Sequence, residues 1–290
     1  MVDEKGIQDA VVELLRRTVV RLPKDVEGAI RRAYEAETDE VPRMQLKAIV
    51  DNIELAKRTN TPMCQDTGVT IFYVSLPREC RADVEKGIVD GVRRATKEVP
   101  LRPNAVHPLT RKNPGDNVGD RMPYINWKVW DKDHIEITVM TKGAGSENMS
   151  QLAMLTPSAG LKGIKEFVLG TVLRAGSNPC PPTIIGLGIG GSADISMKLA
   201  KEALLRPLDV RNKDPEVAKL ETELLEAMNM LGIGPMGLGG KTTMLGLNIE
   251  YAYCHTASLP VAINVQCWAG RRGTVRIHRD GKLEFPTHEG

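Results

Sequence analysis

From Gly68 onward the spacing of this chain's apolar residues changes, and that change confines it to a mixed helix-and-strand architecture. Ile7, Val11, Leu14, Leu15, Val19 and Leu22 recur at three- and four-residue intervals, which puts them on one face of an α-helix. Pro23 stops the run; residues 25–37 predict a second, more polar helix, and Leu46, Ile49, Val50, Ile53 and Leu55 predict a third. From Gly68 to Val74 the residues become β-branched and aromatic, the composition of a buried strand. A helix is expected over residues 82–99, then a long loop over 100–119 carrying four prolines. Trp127–Trp130 and residues 134–141 read as a strand pair turning at Asp131-Lys132-Asp133. Helices follow at 159–174, 195–205 and 215–231, and strands at 183–190, 243–253 and 260–267. The tail, 273–285, reads as a hairpin turning at Asp280-Gly281. The expected fold is a single α/β domain over residues 1–290, with N-terminal helices packed on a mixed β-sheet and further helices flanking it.

With 39 basic and 37 acidic residues, the net charge of +2 supplies no broad electrostatic surface for nucleic acid or membrane. No apolar run approaches the roughly 18–20 residues of a membrane span, and Met1-Val2-Asp3-Glu4-Lys5 has no apolar leader core. A cytoplasmic location is expected.

Two glycine-rich segments imitate nucleotide-binding motifs. Gly186-Leu187-Gly188-Ile189-Gly190-Gly191 matches the dinucleotide pattern between a strand and a helix, which leaves a Rossmann-type nicotinamide oxidoreductase as the alternative from another functional class. The acidic residue that should close a second strand would fall near Asp209, in a segment that is not a buried strand. Gly237-Leu238-Gly239-Gly240-Lys241 resembles a phosphate loop, but Pro235 stands where its first glycine is required.

Five cysteines, far apart and odd in number, argue against a disulfide framework and toward metal binding, catalysis or burial. Cys64, Cys180 and Cys267 each occupy a Gly/Pro-punctuated setting, and Pro179, Pro181 and Pro182 forbid helix around Cys180. Three thiolates are one short of the set that holds a four-iron cluster, which would leave one iron open to a substrate oxygen. The bland alternative for any one of them is a small buried hydrophobe, the reading favoured for Cys80 and Cys254. A zinc-stabilised scaffold without catalysis also stays open.

The segments Met63-Cys64-Gln65-Asp66-Thr67-Gly68, Lys142-Gly143-Ala144-Gly145-Ser146-Glu147-Asn148, Asn178-Pro179-Cys180-Pro181-Pro182, Gly188-Ile189-Gly190-Gly191-Ser192, Gly239-Gly240-Lys241-Thr242 and His255 through Cys267 resemble, in order, the class I fumarate hydratase and L-tartrate dehydratase family. The likeness covers nearly the whole chain and is to the alpha subunit of the two-subunit enzymes. It implies a 4Fe-4S cluster on Cys64, Cys180 and Cys267, with Asp66 and His255 as catalytic residues. Gln65, Arg102 and the backbone of Gly145 would bind a small dicarboxylate. It also implies a beta subunit, in a dimer of alpha–beta pairs, carrying further arginines, a lysine and a threonine of the site. The chain alone is therefore expected to be inactive or nearly so. Fumarate hydration to S-malate is the activity favoured here, with L(+)-tartrate dehydration as the alternative.

Overall fold

The helical period at the front of the chain does become helix, and each start is fixed chemically. Asp3 accepts a hydrogen bond from the Gly6 amide at 2.8 Å and caps the first helix. The computed structural model describes residues 3–288. In chain order its elements begin with α1 (Glu4–Val20), α2 (Lys24–Ala36), α3 (Glu40–Thr59), β1 (Val69–Pro77), α4 (Val84–Glu98), β2 (Tyr124–Trp130) and β3 (Ile135–Lys142). They continue with α5 (Ala144–Glu147), β4 (Gln151–Leu155), α6 (Gly160–Ala175), β5 (Thr183–Gly190), α7 (Ala193–Ala203) and α8 (Pro215–Asn229). The last are β6 (Met244–Ala252), β7 (Leu259–Gln266), β8 (Arg272–Ile277) and β9 (Leu283–Glu284). The chain divides into two compact units, one from residues 3–24, 52–143 and 271–288, the other from 25–51 and 144–270.

The first unit holds a sheet in the order β2-β1-β3-β8-β9. β1 runs parallel to β2 and antiparallel to β3, and β8 is antiparallel to both β3 and β9. α1 packs against β3, β8 and α4. Ile7, Leu14, Phe72, Ile88, Ile137 and Val275 are fully buried between helices and sheet. α4 comes close to α1 because a Cβ on Gly87 or Gly91 would stand 2.7 Å from Ile7 or Val11.

The expected β2–β3 hairpin does not form. β1 lies between the two strands, with Val74 opposite Trp127 on one side and Ile137 on the other. Skipping one strand spans about 9.6 Å, within reach of the four linking residues at about 3.3 Å each. Trp130 braces the crossing by donating its indole N–H to the His134 carbonyl at 3.0 Å. The apolar β1 outcompetes the local turn, and the largely exposed β2 becomes the sheet edge.

The second unit holds a sheet in the order β4-β7-β5-β6, with β5 parallel to β6 and β7 antiparallel to β5 and β4. Ile185, Leu187, Ile249, Val261 and Ile263 face α6 and α8 from one side of it. On the other side α7 sits directly over β5. A Cβ on Gly186 or Gly188 would overlap the backbone oxygens of Ala200 and Ser196. Asn248 donates to the Ala203 and Arg206 carbonyls at 3.1 and 2.8 Å, closing the C-terminal end of α7. The edge strand β4 is an element that the sequence reading did not anticipate; its residues alternate between partly buried and exposed, with little continuous apolar character. No helix among the described residues is long and apolar enough to cross a membrane.

Candidate functional site

α3 ends at Thr59, and the loop from there to β1 carries Cys64, Gln65 and Asp66 in the first unit. Its base is pinned from both sides: the Met63 amide donates to Val19 at 3.0 Å, and the Asn52 amide donates to the Met63 carbonyl at 2.8 Å. Cys64 is half-buried and Gln65 exposed. One oxygen of Asp66, Oδ1, accepts from the Gly68 amide at 2.9 Å and from Asn104 at 3.3 Å. Gly68 has φ +80°, and a side chain there would press on the Lys142 backbone, so this tight turn needs glycine.

The long proline-bearing loop is ordered by hydrogen bonds to this turn. Thr67 Oγ1 accepts from the Arg102 amide at 3.0 Å, Asn117 donates to the Arg102 carbonyl at 3.1 Å, and the Asn104 amide donates to Asn117 Oδ1 at 2.8 Å. Arg102 is thereby fixed through its backbone while its side chain stands exposed. The loop encloses a cleft of about 740 Å³ that Asn104, His107, Arg111 and Lys112 help to line, a volume suited to a small ligand. Facing Asp66 is the buried Gly143, one residue past the end of β3. A Cβ on Gly143 would lie 3.0 Å from Asp66 Oδ2 and 3.8 Å from Arg271 Nη2.

In the second unit Cys180 and Cys267 come together through the backbone. The Trp268 amide, one residue past Cys267, donates to the Cys180 carbonyl at 3.2 Å. Cys180 is exposed and left-handed at φ +53°, a conformation a non-glycine residue holds only where its surroundings impose it. Those surroundings are the Ser177 carbonyl, which accepts from the Cys180 amide at 3.0 Å, and the Met236 amide, which donates to Pro181 at 2.8 Å. Half-buried Cys267 follows β7 directly. Gly145, exposed in the single turn α5, sits where an added Cβ would be 3.3 Å from the Asn178 carbonyl, beside the Cys180 loop.

Thus Cys64, Gln65, Asp66 and Arg102 gather in the first unit, and Gly145, Cys180 and Cys267 in the second. His255 joins neither set. It lies exposed in the turn before β7, so the eight residues of that strand, about 26 Å at 3.3 Å each, separate it from Cys267. Its Nδ1 accepts from the Ala257 amide at 3.1 Å, which leaves Nε2 facing outward. Cys80 is half-buried against the first unit's core, whereas Cys254 is exposed and donates to the Ser258 carbonyl at 3.3 Å. The burial expected for Cys254 is therefore corrected: the β6–β7 turn carries it outside the sheet.

Both glycine-rich segments are used in the packing of the second unit. Gly186 and Gly188 make room for α7, and the α7 N-terminus is served by Asp194, bonded to the Ser192 hydroxyl and held below the usual carboxylate range mainly by that bond. Lys241 donates its amide to the buried Glu37 at 2.7 Å and its Nζ to the Ala36 carbonyl at 3.0 Å. Among the described residues no three His, Cys, Asp or Glu side chains gather around a point for one metal ion. A four-iron cluster makes a different demand, since its irons sit at separate corners. Cys64, Cys180 and Cys267 each lie in a non-helical loop, the first in one unit and the other two in the second.

A family profile described as Fumarate hydratase (Fumerase) matches residues 8–276. A relative from Methanocaldococcus jannaschii, provisionally named L(+)-tartrate dehydratase subunit alpha, is 52% identical over 284 residues, covering 96% of this chain and 99% of its own. The L(+)-tartrate dehydratase subunit alpha of Escherichia coli K12 is 34% identical over 298 residues, covering 99% of this chain and 98% of its own.

Proposed function

Because the chain belongs to the fumarate hydratase (Fumerase) family of hydro-lyases, we propose that it is the alpha subunit of an L(+)-tartrate dehydratase. The observation that carries this reading is the end-to-end match, at 52% identity, to a protein bearing that name. It displaces the preference for fumarate hydration reached from sequence, which rested on how common that activity is. Malate and tartrate differ by one hydroxyl, so a single hydrogen-bonding partner decides between them.

Cys64, Cys180 and Cys267 would hold a 4Fe-4S cluster. When bound, such a group supplies a Lewis-acidic iron for the departing hydroxyl. The chain's own residues do the rest. Arg102, fixed by its backbone with its guanidinium extended, is suited to a forked contact with a substrate carboxylate. Gln65 and the Gly145 backbone are suited to hold substrate oxygens. Asp66 has one oxygen tied to Gly68 and Asn104 and its other directed at the Gly143 gap, a fixed orientation suited to handling a proton. His255, a strand's length from Cys267, is proposed to reach a site only from a neighbouring copy, in a dimer of alpha–beta pairs. The alpha-subunit names of the relatives support a beta subunit as the partner.

The test is anaerobic co-expression with a beta subunit, followed by assays on L(+)-tartrate, S-malate and fumarate. The reading expects kcat/KM to be highest for tartrate. Faster turnover of malate or fumarate would return the chain to the fumarate hydratases.

A further inference from the structure

Residues 232–241, whose glycines imitate a phosphate loop, form a turn that doubles back on itself within the second unit. The Gly239 amide donates to the Ile233 carbonyl at 2.9 Å and the Gly237 amide to the Gly234 carbonyl at 3.0 Å. A Cβ on Gly234 would overlap the backbone of Gly239. Met236, inside the turn, is left-handed at φ +54° although it is not a glycine.

The turn meets the Cys180 loop on both sides of the cysteine. Before it, a Cβ on Gly237 would stand 2.5 Å from Ser177 Cβ. After it, the Met236 amide donates to the Pro181 carbonyl at 2.8 Å. At its other end the turn is clamped by Glu37, which is 2% exposed. Glu37 Oε2 accepts from the Lys241 amide at 2.7 Å, and Oε1 from the amides of Thr38 and Asp39 at 2.9 and 3.1 Å. Gly240 lets the turn come this close, since a Cβ there would stand 2.5 Å from Glu37 Oε2.

Holding Cys180 left-handed costs free energy that its surroundings have to supply. The loop itself is poorly equipped for that, because Pro179, Pro181 and Pro182 have no N–H to give. The bond from Met236 restrains the loop only as firmly as the turn itself is anchored. A buried carboxylate receiving three amides is such an anchor, charge-assisted and costly to break.

We propose that Glu37 is a positioning residue for Cys180: it fixes the glycine-rich turn, and the turn holds the cysteine in the conformation that presents its thiol. Its bearing on catalysis rests on the reading of Cys180 as an iron ligand.

The experiment has two arms. In the first, the full chain, stripped of metal and reduced, is alkylated with iodoacetamide. Mass spectrometry gives the rate at Cys180 divided by that at Cys254, which is also exposed. Glu37→Gln should raise this ratio about tenfold, the scale of the strain held in check at one left-handed residue. Glu37→Asp is too short to serve Lys241 and its near amides together. It should raise the ratio as well, and it stands in should Glu37→Gln fail to fold. Glu221→Ala removes a buried acceptor elsewhere in the same unit, and should melt earlier with the ratio unchanged. In the second arm the complex with a beta subunit is reconstituted anaerobically. There Glu37→Gln should shorten the half-life of the cluster absorbance under chelator about tenfold. A wild-type ratio in the Glu37 variants would overturn the inference and leave Glu37 a stabiliser of the fold. So would a ratio raised equally in Glu221→Ala, or an unchanged half-life in the reconstituted complex. If wild type takes up no iron or sulfide, the iron–sulfur reading fails, and the alkylation arm still decides the clamp.

Discussion

Each unit holds an arginine largely out of solvent, Arg206 in the second and Arg271 in the first, and the two are provided for in opposite ways. In the second unit Arg206 donates to Glu221 at 2.6 Å, Glu250 at 3.0 Å and the carbonyls of Val210 and Ile249 at 3.0 and 2.8 Å. Glu221, fully buried, also accepts from the amides of Asn212 and Ile249. In the first unit Arg271 is buried more deeply, 1% exposed against 15% for the Arg206 side chain, and its Nε and Nη1 have no acceptor among the described residues. A guanidinium that only supports a fold comes with its acceptors built in, because taking it out of water is otherwise too costly. The contrast is between an arginine whose acceptors are built into its own unit and one whose Nε and Nη1 have none among the described residues.

The sharpest way to break the contrast is to strip Arg206 of its anion. Glu221→Ala leaves that guanidinium and two backbone amides without their buried acceptor, and should cost about 3–5 kcal/mol in urea unfolding. Cluster-free Arg271→Met should lose almost nothing in the same measurement. Equal losses in the two variants would show that Arg271 is supported after all, and the distinction would go.

His288 sharpens the point from another side, because an imidazole has an escape that arginine lacks. Burial foremost, with the charges of Arg17 and Arg272 besides, pushes it down to about 4 from 6.5. The folded protein therefore keeps His288 neutral where the unfolded chain would protonate it. Its contribution to stability is complete above pH 6.5 and is lost as pH falls from there to about 4, a span worth about 3 kcal/mol. His288→Gln should flatten that part of the pH–stability curve. An unchanged slope between pH 6.5 and 4 would mean that the ring is protonated in place.

Sequence and structure agree where the governing interactions are local, and part where they are not. The helical periods of α1 to α3 and the alternation along β5 and β7 are written within single segments. Which strand β3 would choose was not, since Asp131-Lys132-Asp133 looks like a turn whether or not β1 is available to intervene. Gly186 and Gly188 satisfied a nucleotide pattern for a different physical reason, the close approach of α7. Of the candidate residues, Cys64, Cys180 and Cys267 stand out by their Gly/Pro-punctuated surroundings, whereas Asp66 comes only from the family resemblance. Arg271 does not stand out. Beside Arg272 it reads as one of a charged pair, and only burial without an acceptor distinguishes it.

The smallest expected effect tests the gap between Asp66 and Arg271 directly. In Gly143→Ala the new Cβ would stand 3.0 Å from Asp66 Oδ2 and 3.8 Å from Arg271 Nη2, so the carboxylate, rather than the guanidinium, has to yield. Asp66 is held through Oδ1 by Gly68 and Asn104, and moving it strains those bonds. A stability loss of about 1 kcal/mol is expected, at the lower end of overpacking in a well-filled site. If that account is right, releasing Asp66 should soften the clash. The double variant with Asn104→Ala should then lose less than the sum of the two single losses in thermal melts of the cluster-free protein, a coupling of neighbours in one network. Strict additivity would place the strain of Gly143→Ala elsewhere and detach Asp66 from the gap that Arg271 faces.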